Sequence, residues 1–408
     1  MRLSIMTILI GIGLMAHSPS LAAEDEDPFA DVKPQPQEDE IKNKSSFKQF
    51  FLENFGFRKE LMSEFGIDAN QSMASRQSIG FEVLKKFSTA TRTFSAINFQ
   101  GRLVRRDGYV GFLNDLEGMD RRGFFFEYHN AYVDFYNVLD PLLKASYQNA
   151  LVGRFNFRIG RFYLPFGLNL QTDTHGLVLQ LSNERNFGYE RDWYAGLWGN
   201  LNQHLQYNLY YMMGSGYDPK YAGQAGLMGG RISLSNQYAS EYGLEGGVAV
   251  MVGQRLSPDA LARSIAVAQH ASGNAHVDTL RFGVDVRYRH AVPTGLVTWT
   301  SELGGGWDAP DGVFNQLHEL SYLHASRRFG ACTQFRWFWQ NMSKSRDIDP
   351  VLALKSIDAS VLTEITWYFR NDVANSNLHW IKLNAETQMM RQKGGVNVIG
   401  TLQYYLYW

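Results

Sequence analysis

The sequence predicts an all-β fold, a transmembrane antiparallel β-barrel of sixteen strands preceded by a short N-terminal helical segment. Three observations carry that expectation. Segments of about ten residues alternate apolar and polar side chains through most of the chain, as strands must when one face meets lipid and the other water. The connections between them sort into a short and a long class, and the chain ends on an aromatic that closes an alternating strand.

Met1 to Ala23 holds one positive charge at Arg2, an apolar core from Leu3 to Ala16 and a small-residue exit at Ser20-Leu21-Ala22. That layout predicts a secretory signal over residues 1–22, cleaved after Ala22. The alternative, an uncleaved anchor, would need roughly 20 apolar residues, and here the core is shorter and Pro19 follows it. No later segment is a continuous apolar span, so any crossing of a bilayer falls to strands.

Residues 23–46 read as an acidic, disordered tether. Between 24 and 40 lie Glu24, Asp25, Glu26, Asp27, Asp31, Glu38, Asp39 and Glu40 against Lys33 alone, too polar to bury a core. The formal charge of −1 therefore hides a −7 here and a +1 at Arg2, leaving +5 for residues 41–408. From 47 to 65, the spacing of Phe47, Phe50, Phe51, Phe55, Leu61 and Phe65 suits an amphipathic helix interrupted at Gly56. Such a helix would pack against or inside the barrel, or else present its apolar face to a partner or a membrane surface.

Residues 66–408 read as the barrel. Fifteen alternating segments are visible, near 79–87, 92–106, 123–136, 146–163, 191–200, 203–213, 226–235, 241–253, 278–290, 294–306, 315–325, 329–340, 358–370, 378–391 and 396–408. In 278–290, Leu280, Phe282, Val284, Val286 and Tyr288 share one face and Arg281, Gly283, Asp285, Arg287 and Arg289 the other. An odd count cannot close an antiparallel sheet with both ends on one side, which places a sixteenth strand between Gly66 and Ser78. Counting back from a periplasmic C-terminus, the outer connections are 107–122, 164–190, 214–225, 254–277, 307–314, 341–357 and 392–395, most of them long. The inner ones, including 137–145 and 326–328, are short, as membrane barrels require. Segment 164–190 becomes the third outer loop, and resemblance to general porins, whose third loop folds inward and narrows the channel, implies a constriction around Asp173, His175, Glu184 and Arg185.

Strand parity aims Arg154, Arg158, Arg281, Arg287, Arg289, Arg336, Arg370 and Lys382 at the lumen, with Asp285, Glu364 and Glu386 on the same face. A guanidinium fork there can hold a carboxylate or phosphate bidentately. Trp299, Trp337, Trp339 and Trp367 have outward parity, suited to a belt at the membrane interface. On the last strand Val398, Gly400, Leu402, Tyr404, Leu406 and Trp408 share a face. Tyr404, Leu406 and Trp408 resemble the C-terminal signal that barrel-assembly machinery reads.

No His-Glu-x-x-His, Gly-x-Ser-x-Gly, Cys-x-x-Cys or P-loop occurs in the sequence. Cys332 is the only cysteine, so no intrachain disulfide forms. His318 and Glu319 fall on opposite faces of a strand and cannot share a metal. The expectation is a protein without catalytic site, metal or cofactor, and without nucleic acid as a partner.

One stretch carries a family resemblance. Ala-Tyr-Val-Asp-Phe-Tyr at 131–136 is followed by Phe-Arg-Ile-Gly-Arg-Phe-Tyr-Leu-Pro-Phe-Gly-Leu at 157–168 and by Asn-Glu-Arg-Asn-Phe at 183–187, with Arg191 and Gly196 beyond. This order resembles the phosphate-selective porin O and P family of outer-membrane barrels. The resemblance implies a homotrimer in the outer membrane of a Gram-negative-type bacterium and an anion-leaning channel lined by basic residues. Its partners would be membrane lipid and small anionic or neutral solutes. An oligosaccharide channel, with aromatics and acids inside, is the alternative substrate class, and a barrel enzyme the alternative from another class.

Overall fold

The computed structural model describes residues 55–88, 92–108, 123–167, 191–202, 204–214, 226–234, 243–256, 276–309, 311–340, 357–372, 377–390 and 395–408. Within them sixteen strands close into one barrel. They are β1 Phe55–Asp68, β2 Met73–Ser88, β3 Thr93–Gly108, β4 Gly123–Phe135, β5 Asn156–Tyr163, β6 Arg191–Asn200, β7 Leu205–Met212 and β8 Gly226–Leu234. The second half comprises β9 Gly243–Leu256, β10 His276–Val292, β11 Gly295–Asp308, β12 Asp311–His324, β13 Phe329–Gln340, β14 Ile357–Asp372, β15 Asn377–Met390 and β16 Gly395–Tyr407. Each strand pairs antiparallel with its chain neighbours, and β1 closes on β16 from Glu60↔Tyr407 to Asp68↔Ile399. The last rung is Trp408, whose N–H donates to the Lys59 carbonyl at 3.0 Å while the Lys59 N–H donates to the Trp408 carbonyl at 2.7 Å. No sheet edge is left to expose unpaired backbone groups.

The two faces of the sheet are chemically opposite. Outward side chains include Phe65, Ile79, Leu209, Val248, Phe282, Val284, Leu320, Ile365 and Leu383, each at least half exposed. Among the described residues forty-four large apolar side chains are exposed, all but a few of them on the strands. An apolar face of this extent far exceeds the roughly 300–600 Å² patch that a soluble monomer exposes, so it requires a non-aqueous medium. The inward face buries Arg102, Arg231, Glu245, Arg281, Asp285, Glu364, Lys382 and Gln403 instead.

Several boundaries differ from the sequence expectation. Residues 55–65 are not helical. They belong to β1, which turns Phe57, Leu61 and Phe65 outward and buries Glu60, Met62 and Glu64. A spacing of four residues satisfies a period of 2 as well as one of 3.6, so Leu61 and Phe65 fit either element. The sixteenth strand is therefore this one, and most of 66–78 belongs to β2 and the turn before it. Residues 47–54 lie outside the described residues.

The segment expected as a strand over 146–163 is extended only from Asn156. Before it stand a 3₁₀ turn, Asp140–Leu142, and a short helix, α1, Ala145–Ala150. The whole connection 136–155 is a shelf pinned by its own polar groups. The Asn137 side chain accepts from the Gly153 N–H at 2.7 Å, and the Gln148 amide donates to the carbonyls of Asp140 (2.7 Å) and Leu143 (2.9 Å). Gly153, at φ 72°, supplies the left-handed backbone that turns the chain into β5. A cleft of about 660 Å³ lies between the shelf and Phe94 and Phe135, lined also by Arg92, which donates to Asp140 at 2.8 Å and to Asn149 at 2.5 Å. At the opposite rim, the long connection expected over 307–314 is only residues 309–310, because β11 and β12 run on to Asp308 and Asp311.

Candidate functional site, the charged inner wall

Alternation sends every second side chain of each strand to the lumen, and the charged ones meet carboxylates there. Arg158, on β5, lies directly opposite Asp134 on β4 and donates to both of its carboxylate oxygens, at 2.6 and 2.7 Å. Its guanidinium plane is also stacked on Tyr132 and Phe162, each ring centroid 4.1 Å away. Tyr136, just past the strand, donates to the same Asp134 at 3.4 Å. Burial and the neighbouring Asp134 carboxylate push its phenol up to about 12, so Tyr136 stays a neutral donor.

On β9 to β11 two carboxylates are each shared by two arginines. Asp308 accepts from Arg255 at 2.5 Å and from Arg281 at 2.6 Å, both on one oxygen, while Thr279 donates to the other at 2.8 Å. Glu245 faces Arg289 at 2.8 Å and Arg287 at 3.5 Å. On β13 to β15 each cation has its own carboxylate, Arg336 with Glu386 at 2.6 Å and Lys382 with Glu364 at 3.0 Å.

Two further pairs bridge strands that are not neighbours. Arg102 on β3 reaches Glu60 on β1 at 2.7 Å, passing over Gly80 of β2. A Cβ on Gly80 would sit 2.9 Å from Arg102 Cγ and 3.3 Å from Glu60 Cβ. Arg231 on β8 reaches Asp285 on β10 at 2.7 Å over Gly247 of β9, where a Cβ would sit 2.8 Å from the Arg231 guanidinium. In both places the middle strand has a glycine where any side chain would block the pair.

Of the predicted lumen residues, Arg158, Arg281, Arg287, Arg289 and Arg336 all stand on this wall. Arg154 does not. It precedes β5, in the turn after α1, with its side chain exposed at the rim and its carbonyl accepting from the Tyr207 hydroxyl at 2.8 Å. The expectation failed because the apolar–polar alternation of 146–155 is carried by a helix and a turn. Arg370 is likewise exposed, beyond an irregularity in β14 between Tyr368 and Arg370 that ends strict alternation. Arg102, Arg231 and Arg255 were not singled out from sequence, although Arg102 and Arg231 share the inward parity of their strands; Arg255 lies two residues beyond the segment read there.

The beginning of the third far-rim connection does turn inward. Leu164 and Phe166 pack with Tyr210, Met212, Leu227, Ala249 and Met251, all inward residues of β7, β8 and β9. Phe166 occupies the space above Gly283 of β10, and Gly167, at φ 64°, sits so close to Glu302 of β11 that a Cβ would lie 2.5 Å from its carboxylate. Asp173, His175, Glu184 and Arg185 lie outside the described residues. Tyr404, Leu406 and Trp408 share the outward face of β16 and its end, as alternation requires, with the Lys59 ammonium 6.0 Å from the Trp408 ring. His318 meets Ser301 at 2.9 Å on one face while Glu319 accepts from Gln334 at 2.9 Å on the other, and no metal-binding cluster occurs among the described residues.

No family model matches the sequence, and no curated protein matches it. Solved structures do. OprB of Pseudomonas putida, in its high-pH structure, superposes with a TM-score of 0.54 at 10% identity, covering 89% of this chain and 96% of that one. The anion-selective porin of Comamonas acidovorans gives 0.51 at 8% identity over 87% and 99%. OmpF of Salmonella typhi, in complex with daunomycin, gives 0.50 at 11% identity over 87% and 97%. At these identities the likeness is one of fold, a closed all-β barrel.

Proposed function

We propose that this chain is an outer-membrane porin, a passive water-filled channel for small hydrophilic solutes with a modest preference for anions, phosphate-class anions among them. The observation that carries the preference is the sharing of Asp308 and Glu245 by two arginines each. Each such trio sets two guanidiniums on one carboxylate, a locally cationic cluster on a wall that also carries Asp285 and Glu302, and positive charge facing a narrow aqueous path raises the local anion concentration. Arg287 and Arg289 keep some solvent contact, whereas Arg281 has none, so the former pair bears the selectivity and the latter the architecture. The family resemblance around 157–168 supports the phosphate class and a homotrimer; the apolar outer face supports lipid as the surrounding medium.

Single-channel recording of the purified protein in planar bilayers under a salt gradient tests the reading. A reversal potential displaced toward the anion side at low salt, and saturable block of chloride current by inorganic phosphate, are expected. Phosphate that changes nothing would leave a general porin; a cation-side potential would reject the anion preference. The outward aromatic terminus supports recognition by assembly machinery, so Trp408→Lys is expected to be exported yet not inserted, read as loss of the heat-modifiable band from membrane fractions.

A second reading has its own observation. Tyr368, Trp380, Tyr405 and Tyr407 form an aromatic cluster on the inner wall, with Trp380 and Tyr405 stacked at 4.5 Å and Glu364 and Lys382 beside them. Trp380, Tyr405 and Tyr407 are 5% exposed or less, so Tyr368 is the ring of the cluster that a passing sugar could stack on, and saturable current block by maltooligosaccharides but not by phosphate would favour that solute class.

A further inference from the structure

The rim where β1 begins and β16 ends is charged on one side only. Among the described residues, Lys59, Lys144, Arg154, Arg327, Arg328 and Arg370 are exposed there, against one exposed acid, Asp372. All six cations belong to the sector that runs from the β12–β13 turn through β1 to the shelf before β5. Strands β6 to β11 present no exposed Lys, Arg, Asp or Glu at this rim among the described residues. The far rim is different again, since its exposed charges are Arg105, Asp107 and Asp278, with Arg105 and Asp107 paired at 2.7 Å. The basic half-rim is thus centred on the strand through which the N-terminal part of the chain arrives.

That part of the chain holds the opposite charge. Residues 24–40 contain eight carboxylates and one lysine, and they precede the start of β1 at Phe55. We infer that this acidic segment docks in cis on the basic half-rim, as a tethered polyanion held by its own barrel.

The distances allow it. A random-coil length of chain equal to that from Glu40 to Phe55 would have a root-mean-square span of roughly 20–23 Å. Strands spaced about 4.8 Å apart and tilted by about 40° meet the rim about 6 Å from one another, so the shelf before β5 and the β12–β13 turn lie on the order of 20–25 Å from β1. The acids therefore reach the basic sector on either side of β1, and the uncharged half of the rim lies beyond their mean reach. Single exposed ion pairs are weak and screened by salt, so the docking depends on the summed charge and on the tether, which holds the segment at an effective concentration of about millimolar.

Zero-length carbodiimide coupling on the full-length protein tests this, because it joins carboxylates to amines that touch. Digestion and mass spectrometry should recover peptides of the 24–40 segment linked to Lys59 or Lys144. A mixture of isotopically light and heavy chains should give same-isotope links, as docking in cis requires. The yield should fall several-fold between about 0.1 and 1 M salt, as the Debye length contracts from about 10 to about 3 Å. It should fall similarly in the variant Arg154→Gln, Arg327→Gln, Arg328→Gln, Arg370→Gln, which keeps both reporter lysines. If that variant does not fold, the salt series on the parent decides alone. Absence of these links, mixed-isotope links only, or a yield indifferent to salt or to the four substitutions overturns the proposal. Links that form in neutral vesicles and vanish in anionic ones also overturn it, by assigning the rim to phospholipid phosphates.

Discussion

The β9–β11 wall and the β13–β15 wall are built from the same residue types on the same sheet, yet they pair their charges differently. In the first, Asp308 and Glu245 each hold two arginines, while Asp285 turns to Arg231 of β8 and Glu302 lies beside Gly167; in the second, Glu386 and Glu364 each hold one cation. The register explains the difference. Arg287 lies directly opposite Glu245 and Arg289 is two residues further along the same strand, so one acid is within reach of both. Arg336 instead stretches from β13 past β14 to Glu386 on β15, where no second cation pairs with that carboxylate among the described residues. A shared carboxylate couples two cations, and its removal is felt twice.

The largest consequence falls at Asp308. Its carboxylate is buried with Arg255 and Arg281, whose side chains have essentially no solvent contact. Asp308→Asn strips the common counter-charge from two buried guanidiniums, and breaking one buried pair already costs about 3–5 kcal/mol. The variant should unfold at clearly lower denaturant than Glu386→Gln, which strips one. Equal midpoints for the two variants would mean that sharing has no energetic content and that the two walls are equivalent.

A smaller effect is expected where the walls depend on a missing side chain. Gly247→Val drives a branched side chain into the Arg231 guanidinium and the Ile232 carbonyl, each 2.8 Å from the Cβ position. The bridge from Arg231 to Asp285 must give way, at a cost of about 1–3 kcal/mol for overpacking plus part of the lost pair. Gly305→Val, on the outward face with its nearest neighbour 3.6 Å away, is the control and should be near neutral. If both destabilise alike, β propensity and not the bridge is being measured.

These two glycines also mark the limit of what is legible in the sequence. Period-2 alternation places a residue on the inner or outer face, and for β10 it set Phe282 and Val284 outward and Arg281, Gly283, Asp285, Arg287 and Arg289 inward, as found. It says nothing of register, so Arg231 could be seen facing the lumen while its partner two strands away could not. Where alternation lapses, the elements themselves are lost. In β1 the outward face carries Lys59 and Ser63 and the inward face Met62, which blurs the pattern and leaves Leu61 and Phe65 to suggest a helix. Before β5 the opposite error arises, because the residues of α1 and its turn alternate by chance and extend the apparent strand back to residue 146, Arg154 included. The inward start of the third far-rim connection was legible only through its order in the chain; the contacts of Phe166 and Gly167 with β10 and β11 are what give it substance.

The effect most informative about transport falls at Glu245. Glu245→Gln removes a carboxylate, itself 1% exposed, shared by Arg287 and Arg289, whose side chains keep 16% and 12% exposure, so the loss of stability should be smaller than that of Asp308→Asn. Two guanidiniums then face the aqueous path without that counter-charge, and the reversal potential at low salt should move further toward anions. Glu364→Gln on the other wall leaves only the Lys382 ammonium, with 3% of its side chain exposed, and should move it less. Gln keeps the hydrogen-bonding shape while removing the charge, so a difference between the variants reports electrostatics. The separation should shrink as salt rises and the Debye length falls from about 10 Å at 0.1 M to about 3 Å at 1 M. Equal shifts would show that wall charge acts only through its sum. A larger shift from Glu364→Gln would move the selective region to the β13–β15 wall, beside the aromatic cluster, and would favour the sugar reading over the anion one.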